Sequence, residues 1–571
     1  MDAGKRTIND IFNGNRILEI PFFQRSYVWD IEQWERLLED MEQVSASNKP
    51  YFLGSVILKQ QPTHTGSTVG DIRTLIDGQQ RLTTLSIFFK VLSLKTLDDY
   101  EFNRMFKLRD LIAIRHNIND IIAYENVMQQ LGLQPPEGTD NITKAFNYFG
   151  THIDIQKINI NNILSKILFV GIDLEENEDE QQIFDTINSL GVKLTTAELL
   201  KNYFFNRDQI NNYQIFWFDI FERNEYLKKY WDKEITTGRA KRAIIDLFFF
   251  SYLQIKIQDR DLNVKTEDKI EFSKVENLFE SYKSFIKNYF NNDKNAILAE
   301  IKEYAQIFCS NFDHEIIENE LPANSGIERI NAIIFGLETS TLIPYVLYVL
   351  KNVTTSENRN TLFEFLETYL MRRMIVHGNT KNYNQLFSER LINNEILSKE
   401  QFVKFLEGQA DKVNYLPTDE ELKFGFENAQ LVNKQSAGIL YFIETKVRNR
   451  QLHSTQLLGI NKYSLEHLMP KKWENHWNNL TEPEDAIRRN RKLLTLGNLT
   501  IITQTLNSTI RDANWEVKIN GRGDKNGLKT YSAGLETINP FLSLAEWNEN
   551  SIDNRAEFLF HKAREIWSIQ H

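Results

Sequence analysis

Hydrophobic residues recur at helical spacing through most of the chain. The clearest stripe follows Asp30, an N-cap residue, with apolar side chains at positions i, i+3, i+4 and i+7. Its members are Trp34, Leu37, Leu38 and Met41. A second stripe of the same period consists of Leu82, Leu85, Phe89 and Leu92. We interpret both stripes as helix faces that pack into a core.

Shorter apolar runs predict strands in two places. Residues 51–58 and 73–76 predict strands in the N-terminal part. Toward the C-terminus, a short strand that ends at His467 and a second strand over 496–503 precede a helix predicted to begin after Asn507. The chain is therefore predicted to be mostly α, with small α+β domains near both ends.

The region between the two ends is predicted to be largely helical. Within 180–205, one helix ends at Gly191, and Thr195 with Glu198 forms a capping box that opens the next helix. From 206 to 433 the sequence continues as aromatic-rich amphipathic helices, with neither a catalytic motif nor a repeat of fixed period. We interpret that middle region as a scaffold.

Length and composition limit the class of protein. A chain of 571 residues is too long for one hydrophobic core, so three or four units are expected. No apolar run is long enough to cross a bilayer and no N-terminal signal pattern occurs, which predicts a cytoplasmic protein without membrane partners. The single cysteine, Cys309, excludes a disulfide framework and a cysteine-rich zinc site. Any metal ion would be held by oxygen and imidazole ligands.

The net charge of −11 is unevenly distributed. Residues 436–571 carry 18 Lys and Arg against 15 Asp and Glu, a net +3, so the first 435 residues carry −14. The candidate contacts to DNA phosphates are Arg488, Arg489, Arg491, Lys492 and Arg511. A solvated helix face explains the cluster as well as DNA contact does. For Arg372 and Arg373, beside His377, we favour pairing at the end of their own helix over phosphate binding.

Three short strings of residues in the C-terminal part match an HNH-type nuclease motif. They are SLEHLMP, LGNL and LN, which begin at residues 464, 496 and 506. A phosphodiester is cut when a general base aims a water molecule at phosphorus while a divalent metal ion neutralises the growing charge. His467 is the candidate base, and Glu466 and Asn507 are candidate ligands of Mg²⁺ or Mn²⁺. Because neighbouring strand residues point to opposite faces, Glu466 could instead pair with a cation.

A second candidate centre lies near the N-terminus, where a strand, a turn and a helix follow each other. Gly78 allows a tight turn after Asp77, and the free N–H groups at the start of the helix favour an anion such as phosphate. Arg81 and Arg25 can clamp phosphate oxygens, and Asp77 can hold a divalent cation or orient a water molecule. The chain has no Walker-type loop, so a bound nucleotide would be held in another way.

These strings together resemble one protein family. IPFFQRSYVW, from residue 20, and LIDGQQRLTTL, from residue 75, resemble the ParB/sulfiredoxin-like N-terminal domain of GmrSD-type restriction proteins. NSLGVKL, from residue 188, resembles the continuation of that domain, and EHLMP and LGNLT resemble the HNH domain of the same family. The resemblance implies a modification-dependent (type IV) restriction enzyme that hydrolyses a nucleotide and cuts foreign DNA in phage defence.

The resemblance also implies roles for individual residues. The implied nucleotide-site residues are Gln24, Arg25, Asp77, Gly78, Gln79, Gln80 and Arg81. In the nuclease centre, Asn498 would brace the loop that carries the base His467, and Asn507 would be a metal ligand together with Glu466. Between His467 and Asn498 the chain is longer than compact HNH loops, and its tryptophans Trp473 and Trp477 either shape DNA access or pack in a core.

The predicted domains are a nucleotide-binding domain at 1–100, its helical continuation at 101–205, a helical scaffold at 206–435 and an HNH nuclease domain at 436–571. The predicted function is a nucleotide-regulated endonuclease that cleaves or nicks modified double-stranded DNA. GTP, ATP and CTP are not distinguishable from the sequence, and a homo-oligomer is one open assembly state. Two alternatives stay open: a phosphorothioate-sensing NTPase and nickase, or a ParB-like nucleotide-switched DNA-binding protein with an inactive nuclease fold.

Overall fold

The protein is described by a computed structural model that consists of two compact units, Met1–Gln214 and Ile215–His571. The structure describes the whole chain except residues 1, 13–14, 22–25, 48, 62–70, 135, 176–194, 206–208, 239, 325, 409–412, 449–455, 476, 478–479, 481, 511, 532–534 and 570–571. The predicted first helix of the 180–205 segment therefore lies outside the described residues. In the described part, no helix is both long enough and apolar enough to cross a membrane.

A six-stranded sheet organises the first unit. The strands of this unit are β1 (Asp2–Thr7), β2 (Arg16–Glu19), β3 (Tyr51–Gln60), β4 (Asp71–Asp77), β5 (Lys107–Leu108), β6 (Leu111–Ile112), β7 (Ile114–Arg115) and β8 (Ile167–Leu174). Strands β5 and β6 pair only with each other, and the remaining six are ordered β1-β8-β3-β4-β2-β7. β1 with β8 and β3 with β4 are antiparallel, whereas the other pairs are parallel. The predicted strands 51–58 and 73–76 are thus confirmed as β3 and β4.

Helices pack with this sheet around one main core. They are α1 (Ile8–Ile11), α2 (Ile31–Ala46), α3 (Gln79–Thr96), α4 (Tyr100–Phe106), α5 (Ile121–Met128), α6 (Asn141–His152), α7 (Ile160–Lys166), α8 (Thr196–Phe204) and α9 (Ile210–Tyr213). Asp30 caps α2 through a capping box with Gln33, and all four residues of the predicted α2 stripe are buried in the core. The capping box of Thr195 with Glu198 at the start of α8 is also confirmed.

Helix α3 differs from the sequence-based expectation of one apolar face. Its buried residues run continuously from Leu82 to Ser93 and include Thr83, Thr84 and Ser86. Hydrogen bonds satisfy several of these buried hydroxyls, for example 2.6 Å between the Thr84 and Tyr27 oxygens. The helix is therefore surrounded by protein on most sides, and its N-terminus is fixed at the end of β4.

The second unit is mostly helical. Its helices are α10 (Glu225–Asp232), α11 (Ile244–Lys256), α12 (Thr266–Phe272), α13 (Leu278–Tyr289), α14 (Leu298–Asn311), α15 (Ile327–Asn331), α16 (Ile343–Asn352), α17 (Ser356–Ile375), α18 (Tyr383–Gln385), α19 (Leu391–Asn393), α20 (Lys399–Glu407), α21 (Asp419–Asn428), α22 (Asn433–Val447), α23 (Pro483–Lys492), α24 (Gln504–Ile510), α25 (Trp515–Asn520), α26 (Leu528–Tyr531) and α27 (Glu549–Ile566). Its strands form three antiparallel pairs, β9 (Glu234–Thr237) with β10 (Ala240–Ala243), β11 (Tyr463–His467) with β12 (Leu499–Thr503), and β13 (Gly521–Arg522) with β14 (Lys525–Asn526).

Buried arginines hold the end of helix α17 in place. Arg372 is completely buried and donates to the carbonyl oxygens of Trp567 and Pro417 and to the carboxylate of Asp419. Arg373 is buried as well and donates to the Asn379 and Tyr415 carbonyl oxygens and to the Tyr383 hydroxyl. Their role is structural, so a phosphate contact by these two guanidinium groups is excluded.

The four predicted domains and the two observed units divide the chain differently. Strands β7 and β8 belong to the predicted segment 101–205, but they lie in the same sheet as strands from residues 1–100. The predicted segments 206–435 and 436–571 fall almost entirely within the second unit. Mostly helical architecture with small sheets, the predicted fold class, is confirmed.

Candidate functional site

Strands β11 and β12 and helix α24 carry the candidate nuclease residues. The two strands are antiparallel, with His467 opposite Leu499 and Glu466 opposite Thr500, and α24 begins directly after β12. Buried Leu499, Ile501 and Ile502 fix β12 in the core of the second unit. A strand, a strand and a helix are therefore present in the expected order, but the second strand begins at Leu499 rather than at residue 496, and the helix begins at Gln504, so that Asn507 lies within it.

His467 lies at the last position of β11 and is half-buried. Burial, together with the nearby cations of Lys471 and Lys518, lowers the pKa of its imidazole from 6.5 to about 4. Its ring forms no hydrogen bond to any of the described side chains. At neutral pH the imidazole is therefore uncharged and can accept a proton, as a general base must.

Asn498 is fully buried and holds the chain that follows His467. Its Oδ1 accepts hydrogen bonds from the Met469 backbone N–H, at 2.8 Å, and from Trp547 Nε1, at 3.0 Å. Its Nδ2 donates to the carbonyl oxygens of Met469, at 2.9 Å, and Leu493, at 3.0 Å. With all four bonds occupied, this amide is positioned to brace the loop rather than to contact a substrate.

Asn507 lies on α24 and faces β11. Its Nδ2 is 3.4 Å from the Leu465 carbonyl oxygen and 3.5 Å from Ser464 Oγ, so both hydrogen bonds are long. No donor to its Oδ1 is found in the parts of the chain that the structure describes. That oxygen is available to a ligand, and an amide oxygen is a suitable ligand for a hard divalent cation.

Glu466 pairs with a buried lysine at the end of β11. Its side chain is 6% exposed and its carboxylate forms a short ion pair with Lys518. The predicted alternative, pairing with a cation, is the arrangement observed, and the assignment of Glu466 as a metal ligand stays a prediction. Lys518 lies 52 residues away on α25, and no local pattern in the sequence indicated it.

A metal ion at this centre would find few protein ligands. No group of three or more His, Cys, Asp and Glu side chains able to hold a metal occurs within the described ranges. With Asn507 Oδ1 and water as ligands, most of the ion's coordination positions would be left to phosphate oxygens of the DNA. Mg²⁺ is often bound in this way, through its substrate. The residues present fit an ion that arrives with DNA rather than a permanently held one.

The predicted DNA-contacting cluster separates into buried and exposed members. Arg489, on α23, is 4% exposed, pairs with Glu549 at 2.5 Å and lies over the Trp473 ring, and these contacts favour packing over DNA contact. Lys492 is largely buried and pairs with Asp553 at 2.5 Å. Arg488 and Arg491 are exposed. Arg511 lies outside the described residues.

The two tryptophans of the long connection stabilise it. Trp473 Nε1 donates to Asn490 Oδ1, and Trp477 Nε1 donates to the Trp547 carbonyl oxygen, both at 2.9 Å. Trp473 is buried. Of the two predicted roles, packing is the one that these contacts support.

The second candidate centre lies in the first unit, where β4 leads into α3. Gly78 has φ +97°, and an added Cβ would meet Val56 Cγ2 at 3.0 Å and the Ser55 carbonyl oxygen at 3.1 Å. A residue with a side chain would therefore be strained at this position, and glycine is favoured. The N-cap residue of α3, Gly78, forms no side-chain cap, and the first N–H groups of a helix favour an anion.

Arg81 and Asp77 face each other across this turn. Arg81 donates to the Ser55 carbonyl oxygen at 2.6 Å and lies 3.4 Å from the Asp77 carboxylate, which also accepts from Ser55 Oγ at 2.6 Å. Arg81 Nε is buried, and no acceptor for it occurs in the described segments. Ser55, which sequence reasoning missed, thus orients both charged side chains.

The remaining predicted nucleotide-site residues fall into two groups. Gln80 Oε1 accepts from the backbone N–H of Val28, at 2.9 Å, so this side chain holds the end of the first N-terminal motif. Gln79 is 8% exposed at the first turn of α3. Gln24 and Arg25 lie outside the described residues, so their predicted roles stay predictions.

Comparison with known families matches both ends of the chain. A model of the GmrSD restriction endonuclease N-terminal domain matches residues 8–205, and one of the C-terminal domain of GmrSD restriction endonucleases matches residues 416–562. Among curated proteins, none matches this chain. The N-terminal match includes the Asp77–Arg81 turn, and the C-terminal match includes β11, β12 and α24. Because the two halves of one family are matched in order and cover more than half of the sequence, the chain belongs to the GmrSD family of restriction endonucleases.

Proposed function

We propose that this restriction endonuclease cuts or nicks modified double-stranded DNA at an HNH-type centre with His467 as general base, under control of a nucleotide bound in the first unit. The observation that carries the proposal is the position of His467 at the end of β11, next to a chain segment that Asn498 braces. The arrangement supports base-assisted hydrolysis because the proton acceptor is ready at neutral pH.

In the proposed reaction, His467 takes a proton from a water molecule whose oxygen attacks phosphorus. A new P–O bond forms, the bond from phosphorus to the 3′-oxygen breaks, and the leaving oxygen takes a proton from solvent. The products carry a 5′-phosphate and a 3′-hydroxyl. Asn507 Oδ1 would hold Mg²⁺ or Mn²⁺ together with phosphate oxygens, and the ion would stabilise the charge that develops on the phosphate.

The nucleotide part of the proposal rests on the turn between β4 and α3. A helix N-terminus without a side-chain cap attracts phosphate, and Arg81 supplies a guanidinium whose buried Nε has no acceptor among the described residues. Asp77 beside it is suited to orient water or a cation. GTP, ATP and CTP remain candidates, and nucleotide hydrolysis is proposed to license cutting by the second unit.

Plasmid cleavage tests the proposal directly. Plain DNA, DNA with sugar-modified cytosine and DNA with phosphorothioate linkages are each incubated with Mg²⁺ and with GTP, ATP, CTP or no nucleotide. We expect wild type to cut a modified plasmid in the presence of one nucleotide and His467→Ala to be slower by about 10²- to 10⁴-fold. His561→Ala, a change of an exposed histidine in the same unit, is the matched control and should cut normally.

The outcomes separate the alternatives. Equal cleavage by His467→Ala and wild type overturns the assignment of the base. Cutting confined to phosphorothioate DNA identifies the backbone-sensing nickase instead. A chelator-insensitive DNA mobility shift without nicking on any substrate favours the ParB-like DNA-binding protein.

A further inference from the structure

The ammonium group of Lys518 joins the two residues at the end of strand β11. Lys518 is 0% exposed, and its Nζ donates to the Glu466 carboxylate and, at 2.7 Å, to the backbone carbonyl oxygen of His467. Neither the sequence motif nor the family match singles out this lysine. It is the buried cation next to the candidate base.

Stability alone does not account for this buried pair. Burial raises the pKa of the Glu466 carboxyl and lowers the pKa of the Lys518 ammonium, and in each case the partner opposes the shift. Replacing a buried ion pair by apolar side chains of similar volume is often neutral or stabilising. What an apolar pair could not supply is the charge-assisted hydrogen bond to the His467 carbonyl oxygen.

Asn498 holds the backbone of the two residues that follow His467. Its backbone oxygen accepts from Leu468 N–H at 2.9 Å, and its side chain binds both the N–H and the carbonyl oxygen of Met469. Three consecutive residues that begin with His467 are therefore fixed by buried polar groups. Lys518 holds the first of them, from which the imidazole projects.

We infer that Lys518 is a positioning residue for His467: anchored by Glu466, it fixes the backbone that carries the imidazole and does not itself contact the DNA. The inference rests on the proposed role of His467 as general base. A base must lie within hydrogen-bond reach of the attacking water, and a displacement of about 1 Å can slow an enzyme by about 100-fold.

The test uses two variants of the full chain, Lys518→Met and the double variant Glu466→Met/Lys518→Met. The single variant leaves the Glu466 carboxylate buried without its partner, so we expect a lower melting temperature. The double variant removes both charges, so its melting temperature should be close to that of the wild type. Both should reduce kcat by about 10- to 100-fold while the Kd for DNA stays within about threefold, because only the orientation of the base is lost.

A second buried pair in the same unit provides the matched control. Arg329 and Glu367 are both buried and joined at 2.6 Å, and the described contacts of this pair include no residue of β11, β12 or α24. Arg329→Met/Glu367→Met should leave kcat per folded molecule unchanged. If Glu466→Met/Lys518→Met also keeps the wild-type kcat, Lys518 only fills space and the inference is overturned.

A spectroscopic measurement separates this inference from the proposed function. If wild type cuts none of the DNA panel, the proposed nuclease activity fails, but the position of His467 can still be observed. With ¹³Cε1-labelled histidine and His467→Gln to assign the signal, we expect the His467 resonance to shift or split in both Lys518 variants and to stay in place in the Arg329/Glu367 control. An unchanged His467 resonance in the Lys518 variants overturns the inference.

Discussion

Trp547 Nε1 donates a hydrogen bond of 3.0 Å to Asn498 Oδ1, and both side chains are buried. This bond links the loop that follows His467 to the chain that leads into α27. Asn498 has a partner for each of its two N–H groups and two partners for its oxygen, so any change at this position leaves buried backbone groups without partners.

We expect Asn498→Ala to lower the free energy of unfolding of the second unit by about 1–3 kcal/mol for each backbone group that it leaves unpaired. Trp547→Phe removes one bond to the same oxygen and should cost less. Urea titration followed by circular dichroism measures both. A wild-type unfolding curve for Asn498→Ala would show that the amide does not brace this loop.

The pH dependence of cleavage should reflect an unusually acidic imidazole. The pKa of His467 is lowered from 6.5 to about 4 in the folded protein, so the neutral form persists well below pH 6.5. We expect kcat/KM to be flat from about pH 5.5 to about pH 7.5 and to fall as the pH approaches 4, because the base must be unprotonated. A loss of about fivefold between pH 6.5 and pH 5.5, as an imidazole with the ordinary pKa of 6.5 would give, would contradict the lowered pKa.

The same shift links protonation to stability. Between about pH 4 and pH 6.5 the unfolded chain binds a proton at residue 467 and the folded protein does not, so this residue makes the free energy of unfolding rise with pH in that window. Thermal melts at several pH values compare wild type with His467→Gln. The variant should show the weaker pH dependence in this range.

The exposed and buried arginines of α23 should behave in opposite ways. Arg491→Ala should leave the melting temperature unchanged and reduce the salt slope of DNA binding by about 0.9 if its guanidinium contacts one phosphate. Arg489→Ala breaks the pair with Glu549 and the contact with Trp473, so it should lower the melting temperature. DNA binding titrated at several salt concentrations, together with thermal melts, distinguishes the two. If Arg491→Ala leaves the salt slope of DNA binding unchanged, Arg491 does not contact a DNA phosphate.

Local sequence patterns predicted the elements but not which polar groups face each other. The spacing of His467, Asn498 and Asn507 predicted two strands and a helix because strand period and turn residues are local properties. The partner of Glu466 could not be predicted in this way, since Lys518 approaches from 52 residues away. Arg488 and Arg489 are adjacent and chemically identical, and the contacts of Arg489 with Glu549 and Trp473 distinguish the buried one from the exposed one.

Nucleotide binding should depend on Arg81 more than on other arginines of the first unit. Arg81→Ala removes a guanidinium whose Nε has no acceptor among the described residues and which lies beside the uncapped start of α3. A hydrogen bond to a charged group contributes about 1.5–3 kcal/mol, so the Kd for the nucleotide should rise by about 10- to 100-fold. Arg104→Ala changes an exposed arginine that pairs with Glu101, and this variant should bind the nucleotide with the wild-type Kd. Isothermal titration calorimetry measures the Kd of each nucleotide for wild type, Arg81→Ala and Arg104→Ala. Equal affinity of Arg81→Ala and wild type would show that the phosphate does not bind at Arg81.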